Sequence, residues 1–234
     1  MGTILSFAHT KGGVGKSTLA CQIAVLAERR GLEVLLVDAD AQRTATLFAA
    51  ARKEAGKMGR LTAVEVRGKT AHQDLARLAE KYELVVVDAG GKDSMTLRSV
   101  LVASGTVVMP VAPRGPELWA TDDVMAVIGE VRAVNEKLRA VCLVNRADAG
   151  KGKTQATRVS EARSYLAATE GLELLPVAVG NRIAFADAIT AGLSVCELRP
   201  QDGRANEELR RLYDSIIGVS CGGYHAGKIL SPRR

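Results

Sequence analysis

The residues best suited to chemistry lie near the start of the chain, in His9-Thr10-Lys11-Gly12-Gly13-Val14-Gly15-Lys16-Ser17-Thr18. Closely spaced glycines let a backbone wrap around phosphate oxygens where a Cβ would stand in the way. A helix opening directly afterwards adds free N–H groups and the positive end of its dipole. Within such a loop Lys16 reaches the β- and γ-phosphates, the Ser17 hydroxyl ligates Mg²⁺ and Thr18 touches the α-phosphate. The stretch follows an apolar run and opens a helical pattern, which is the context a phosphate-binding loop requires. Lys11, Gly12, Gly13, Val14, Gly15, Lys16, Ser17 and Thr18 are therefore the expected nucleotide-binding set.

The elements that must position this loop are legible as two alternating patterns. Apolar runs at 4–8, 34–37, 84–87, 106–111, 140–144 and 174–177, with a weaker one at 61–66, are nearly continuous. Strands buried on both faces of a parallel sheet read this way. Helical spacing predicts helices over 16–30, 70–82, 116–138, 154–169 and 203–217, the first stopped by Gly31. Alternation of the two implies right-handed βαβ crossovers and an open, mostly parallel, doubly wound α/β sheet flanked by helices.

Composition excludes several classes. The chain has 234 residues, 47% hydrophobic and 25% charged, which is neither a disordered chain nor a coiled-coil rod. No apolar run approaches the roughly 20 residues that span a bilayer. The opening residues show no secretory signal. The four cysteines, Cys21, Cys142, Cys196 and Cys221, are scattered, which argues against a zinc site or disulfide framework and for a reducing cytoplasm. Net charge is +6, concentrated as +5 in residues 137–163 and +3 in residues 224–234. Clustered positive charge suggests a polyanionic partner.

The loop has Thr10 where the ordinary G-x-x-x-x-G-K-[ST] pattern has glycine, and a second lysine, Lys11, ahead of the glycines. K-G-G-x-G-K-[ST] resembles the deviant Walker A motif of the MinD/ParA family of P-loop NTPases. The resemblance implies that Lys11 crosses a dimer interface to the partner's nucleotide. There a cation stabilises charge developing on the transferred phosphoryl group. Val37-Asp38-Ala39-Asp40-Ala41-Gln42 is similar to that family's D-x-D-P-Q segment, with Ala41 in place of proline. By that likeness Asp40 orients the attacking water and Asp38 lies near the metal. Val85-Val86-Val87-Asp88-Ala89-Gly90-Gly91 resembles the second signature strand, so Asp88 holds Mg²⁺ through water. Asn145, after the run at 140–144, matches a position that contacts adenine; a turn-forming asparagine reads the same way.

The resemblance runs from Thr3 to about Ile217. It is closest to short ParA forms without an N-terminal DNA-reading domain. It implies one P-loop ATPase domain over 1–217 and a loose basic tail over 218–234. The implied activity is slow, Mg²⁺-dependent ATP hydrolysis by a homodimer that forms on ATP. The dimer would bind nucleoid DNA without sequence preference and answer to a ParB- or ParG-like stimulator on its cargo, a plasmid, a chromosome or another assembly. The location is then cytoplasmic, with no membrane expected. Arg182, Arg199 and Arg204 occupy the region where relatives contact DNA, with Arg210 and Arg211 nearby. Lys151, Lys153 and Arg158 offer an alternative basic face.

The alternative within the family is a MinD-like positioning ATPase at a membrane, which needs an amphipathic C-terminal anchor. Leu209, Leu212, Ile216 and Ile217 have that spacing, but also the spacing of a helix packed on a sheet. A nitrogenase-reductase-like protein would need cluster-ligating cysteine spacing that is lacking here. A ligase resembling dethiobiotin synthetase would show ATP hydrolysis dependent on a small acid or amine. Replacing Lys16 with alanine should abolish nucleotide binding in equilibrium titration. Unchanged affinity would overturn the loop assignment.

Overall fold

The computed structural model describes residues 2–91, 94–147 and 153–220. In chain order the elements are β1 (Thr3–Ala8), α1 (Lys16–Arg29), β2 (Val34–Ala39), α2 (Thr44–Glu54), β3 (Thr62–Glu65) and α3 (Ala71–Leu78). There follow β4 (Leu84–Ala89), α4 (Ser94–Ala103), β5 (Thr106–Val111), α5 (Gly115–Arg132) and β6 (Arg139–Ala147). The chain continues with α6 (Lys153–Ala168), β7 (Glu173–Gly180), α7 (Ile183–Thr190) and α8 (Gly203–Ser220).

The strands form one sheet in the order β3-β2-β4-β1-β5-β6-β7, and every pairing is parallel. The continuous apolar runs require this arrangement, because both faces are covered. Leu5, Phe7, Leu36 and Val86 face one core, under α1, α2, α7 and α8. Ile4, Leu35, Val85 and Val87 face the other, under α3, α4, α5 and α6. The doubly wound α/β expectation is borne out. The weak run at 61–66 forms β3, an exposed edge strand.

Three helices escape the periodicity reading. In α2 the buried positions are Ala45, Phe48 and Arg52, so its core stripe contains a charge. In α4 the buried Leu97, Val100 and Leu101 sit among β-branched and small residues, and α7 has only eight residues. The helix expected over 116–138 ends at Arg132. Asn135 donates its amide to the Leu101 and Ser104 carbonyls at 3.1 and 2.8 Å, and Leu138 is buried at the foot of β6.

At the carboxyl end of the fold, Leu209, Leu212, Ile216 and Ile217 in α8 are buried against the sheet. Their helical spacing is therefore that of a packed helix. Among the described residues no helix is long and apolar enough to cross a membrane. The helix extends to Ser220, and the basic tail over 221–234 lies outside the described residues, as do Asp148 and Lys151 of the basic segment.

The buried Arg52 explains how a charge is tolerated in the core stripe of α2. It is 2% exposed and forms a two-pronged pair with Glu197, at 2.7 and 3.0 Å, while Nη1 also donates to the Gly192 carbonyl. Glu197 in turn accepts the Ser194 amide and lies 3.5 Å from Arg29 of α1. The pair ties α2 to the segment between α7 and α8. Glu197→Ala should strand the guanidinium and destabilise the fold by about 3 kcal/mol in urea unfolding. A loss below roughly 1 kcal/mol would show that water or another acid replaces the carboxylate.

Candidate nucleotide site

Strands β1, β2 and β4 end level with one another. Ala8 and Ala39 both pair with Ala89, and Asp38 pairs with Asp88 one residue earlier. The loops that leave these ends meet at the carboxyl edge of the sheet, where open parallel sheets bind ligands. The first of them, residues 9–15, opens onto a pocket of about 190 Å³. Its lining includes Gly12, Gly13, Gly15, Lys16, Ser17, Thr18, Asp40 and Arg146.

Gly15 is the pivot of the loop. Its φ is +96°, and a Cβ there would stand 2.3 Å from the Asn145 amide nitrogen. Both the backbone angle and the close approach require glycine. The helix that follows has no side-chain N-cap and no acid in its first turn. Its leading N–H groups thus remain available to an anion. Lys16 is 7% exposed and donates to the Lys11 carbonyl at 3.1 Å. Burial lowers its pKa, while Asp88 and then Asp40 oppose that fall. The ammonium is therefore held across the loop and faces two acids.

Asp88 is fully buried, and neither of its carboxylate oxygens has a hydrogen-bond partner. Burial, reinforced by Asp38 and Asp40, raises its pKa to about 7. Ser17 and Lys16 pull in the opposite direction, although no hydrogen bond of ordinary geometry reaches either oxygen. Such a buried carboxylate beside the Ser17 hydroxyl fits a hydrated Mg²⁺. The described residues contain no cluster of three His, Cys, Asp or Glu side chains able to hold a metal alone. Phosphate oxygens and water would complete the shell of such an ion, as Mg²⁺ prefers.

Asp38, beside Asp88 in the sheet, has different surroundings. Its Oδ1 accepts the Asp40 amide at 3.1 Å, and its Oδ2 accepts the Thr46 amide and hydroxyl at 2.7 and 2.9 Å. Both oxygens thus hold the β2–α2 connection in shape. Asp40 lines the pocket and accepts the Gln42 amide at 3.0 Å. Its carboxylate also packs on Gly90, where a Cβ would lie 2.7 Å from its Cγ.

Asn145 is buried and donates to the Val14 carbonyl at 2.6 Å. It braces the loop from behind and lines a second, adjoining pocket of about 80 Å³. That pocket is walled by Leu19, Arg146, Val179, Arg182 and Phe185. It lies beside the phosphate loop, with walls that mix Leu19, Val179 and Phe185 with polar side chains. Arg146 lines both pockets with φ at +53°, a strained angle for a side-chain-bearing residue, and sequence reasoning assigns it no role.

The three arginines expected at DNA have different surroundings. Arg182 is a wall of the second pocket, and both prongs of its guanidinium engage Glu208. Arg199 is exposed and donates to the adjacent Leu198 carbonyl. Arg204 is exposed in the first turn of α8, with no acid at ion-pair distance among the described residues. Lys11 is exposed as well. Its amide and carbonyl are both engaged by the loop, while its ammonium has no partner among the described residues.

The pattern of the CobQ/CobB/MinD/ParA nucleotide binding domain, CbiA, matches residues 5–195. The chain belongs to that family. The match covers the phosphate loop, both strand-terminal acids and Asn145. The chain is 26% identical over 215 residues to maintenance of carboxysome distribution protein A of Halothiobacillus neapolitanus, covering 91% of this chain and 95% of that one. It is 29% identical over 241 residues to the chromosome-partitioning ATPase Soj of Thermus thermophilus, covering 91% and 94%. Among solved structures, the septum site-determining protein MinD of Pyrococcus horikoshii, complexed with Mg-ADP, superimposes with a TM-score of 0.72 at 16% identity. That superposition spans 94% of this chain and 98% of that one. An ATP complex of Cyanothece McdA gives a TM-score of 0.71 at 14% identity, over 93% and 96%.

The environment of Asp88 generates a pH prediction with a definite sign. Its pKa rises from 3.8 to about 7 on folding, so the folded state retains a proton that the unfolded chain has lost. Stability therefore falls as pH rises through that window. Asp88→Asn should melt above the unmodified, nucleotide-free protein at about pH 8, with the gap narrowing below about pH 7 and closing at about pH 4. The variant should also lose the Mg²⁺ dependence of nucleotide affinity. A stability gap that does not change with pH would contradict the assignment.

Proposed function

We propose that this protein is a Mg²⁺-dependent ATPase that pairs with a second copy of itself on ATP. The paired form binds DNA without sequence preference and positions a DNA or protein-assembly cargo through a ParB- or ParG-like stimulator. The observation that carries the reading is Lys11. Its backbone is fixed at both the amide and the carbonyl, while its side chain is exposed and its ammonium has no partner among the described residues. A cation held in this way is suited to a phosphate on another subunit.

The surroundings support pairing across the same edge. Leu47, Met95, Trp119 and Ile183 are the large apolar side chains left exposed near the starts of α2, α4, α5 and α7. In a parallel sheet with right-handed crossovers, these helix starts lie at the carboxyl edge of the strands, around the pocket. Exposed apolar residues gathered on one edge mark a contact surface. The names of the curated relatives, one a carboxysome distribution protein and one a chromosome-partitioning ATPase, support a positioning role.

The chain's own residues then divide the work. Backbone N–H groups at 12–18 cradle the phosphates, and Lys16 neutralises charge on them. Ser17 and Asp88 would hold Mg²⁺, which screens the phosphate oxygens and polarises the bond that breaks. Asp40 orients the attacking water, and Asn145 keeps the loop closed behind the nucleotide. Lys11 stabilises charge in the partner's site, which makes turnover conditional on pairing. Arg199 and Arg204 supply solvent-facing charge for DNA phosphates, and their contribution weakens with salt.

The test is DNA binding followed by fluorescence anisotropy with ATP, with ADP and without nucleotide, at two salt concentrations. Binding should require ATP and fall steeply with salt. Lys11→Ala should keep ATP affinity within about threefold while lowering turnover by roughly 100-fold. Equal DNA affinity in all three nucleotide states, or unchanged turnover in the variant, would overturn the reading.

A further inference from the structure

His9 opens the loop motif without touching the phosphate pocket. It leaves β1 directly and is fully buried. Its Nδ1 accepts the Lys11 amide at 3.0 Å, which places its proton on Nε2. Burial, followed by the charge of Lys16, lowers its pKa to about 4. The ring is thus a neutral acceptor over the ordinary pH range. Nε2 is buried without a hydrogen-bond partner and lies towards the Glu117 backbone in the first turn of α5. The next residue, Thr10, donates its hydroxyl to the Ala120 carbonyl of the same helix at 3.4 Å. From the other side, Gly91 packs so closely that a Cβ would stand 2.3 Å from the His9 carbonyl oxygen and 2.5 Å from the Thr10 Cα.

We propose that His9 is the positioning residue of Lys11: its imidazole holds the lysine's amide and fixes the opening turn of the loop against the first turn of α5. The inference rests on the reading of Lys11 given above. The lysine ammonium hangs on a long, flexible side chain, and only its backbone can set where that chain begins. Two bonds do so, His9 on the amide and Lys16 on the carbonyl. Lys16 must also serve the phosphates, so His9 is the anchor that has no second duty. Its contact with α5 at Glu117 puts that anchor two residues from the exposed Trp119, on the edge where a second copy would sit.

The chemistry suggests a pair of variants. Leucine at position 9 keeps apolar bulk but cannot accept a hydrogen bond. Asparagine can accept the amide two residues on, as in an Asx-turn. The assay measures ATP affinity by titration and turnover by phosphate release in the full-length protein, with melting curves as a check on folding. His9→Leu should keep ATP affinity within about twofold and lower kcat at least tenfold, with ATP-driven pairing lost in sedimentation. His9→Asn should recover most of the turnover. Wild-type kcat in His9→Leu overturns the inference, and so does failure of a well-folded His9→Asn to recover. Parallel loss of ATP affinity and kcat in His9→Leu would assign His9 to the phosphate cradle and also overturn it. Lys11→Ala run alongside separates the two claims. If it turns over normally, the reading of Lys11 fails. If it is inactive while His9→Leu is not, only the role of His9 fails.

Discussion

A buried carboxylate with no donor governs this site. Asp38 and Asp88 are the same residue type at paired positions of adjacent strands. Asp38 receives two backbone amides and a hydroxyl, so its charge is met within the chain. Asp88 receives none, and its raised pKa shows what that isolation costs. A group of this kind persists in a fold when something outside the chain compensates it. Lys16 is the opposing half of the arrangement. It is an ammonium held in partial burial by a single carbonyl and the field of two acids. Together they form a site of separated charge that a phosphate with its divalent cation would complete on both sides.

Much of this was legible in the sequence because it depends on local spacing. The phosphate loop is contiguous, and each acid ends an apolar run, so their convergence followed once the runs were read as neighbouring parallel strands. What escaped depended on partners far along the chain. The charge of Arg182 is visible in the sequence, but its pairing with Glu208, 26 residues on, is not, and the pair turns an expected outward cation into a pocket wall. Arg52 concealed α2, because a charge in the core stripe breaks the periodicity unless Glu197, 145 residues away, is known to meet it. The amide of Asn145 was expected to face a base. What the sequence does not show is its donation to the Val14 carbonyl, a contact set by how tightly Gly15 lets the loop approach β6.

The same close contacts determine how the site can move. The loop after β4 touches two others through residues without side chains: Gly90 against the Asp40 carboxylate, and Gly91 against the backbone of His9 and Thr10. At those distances a shift of one loop displaces the others, because packed interiors do not compress. The turn bearing Asp40, the end of β4 and the turn bearing Lys11 are therefore mechanically coupled. At the far end, Gln22 of the loop's own helix binds the Leu193 carbonyl, the Ser194 hydroxyl and the Val195 amide. Arg52 of α2 binds Gly192 and Glu197 of the same segment. Both helices that begin at phosphate-facing loops thus clasp the connection into α8, the helix that carries Arg204. Any change in the angle between α1 and α2 therefore bears on the segment at 192–197, which both helices hold.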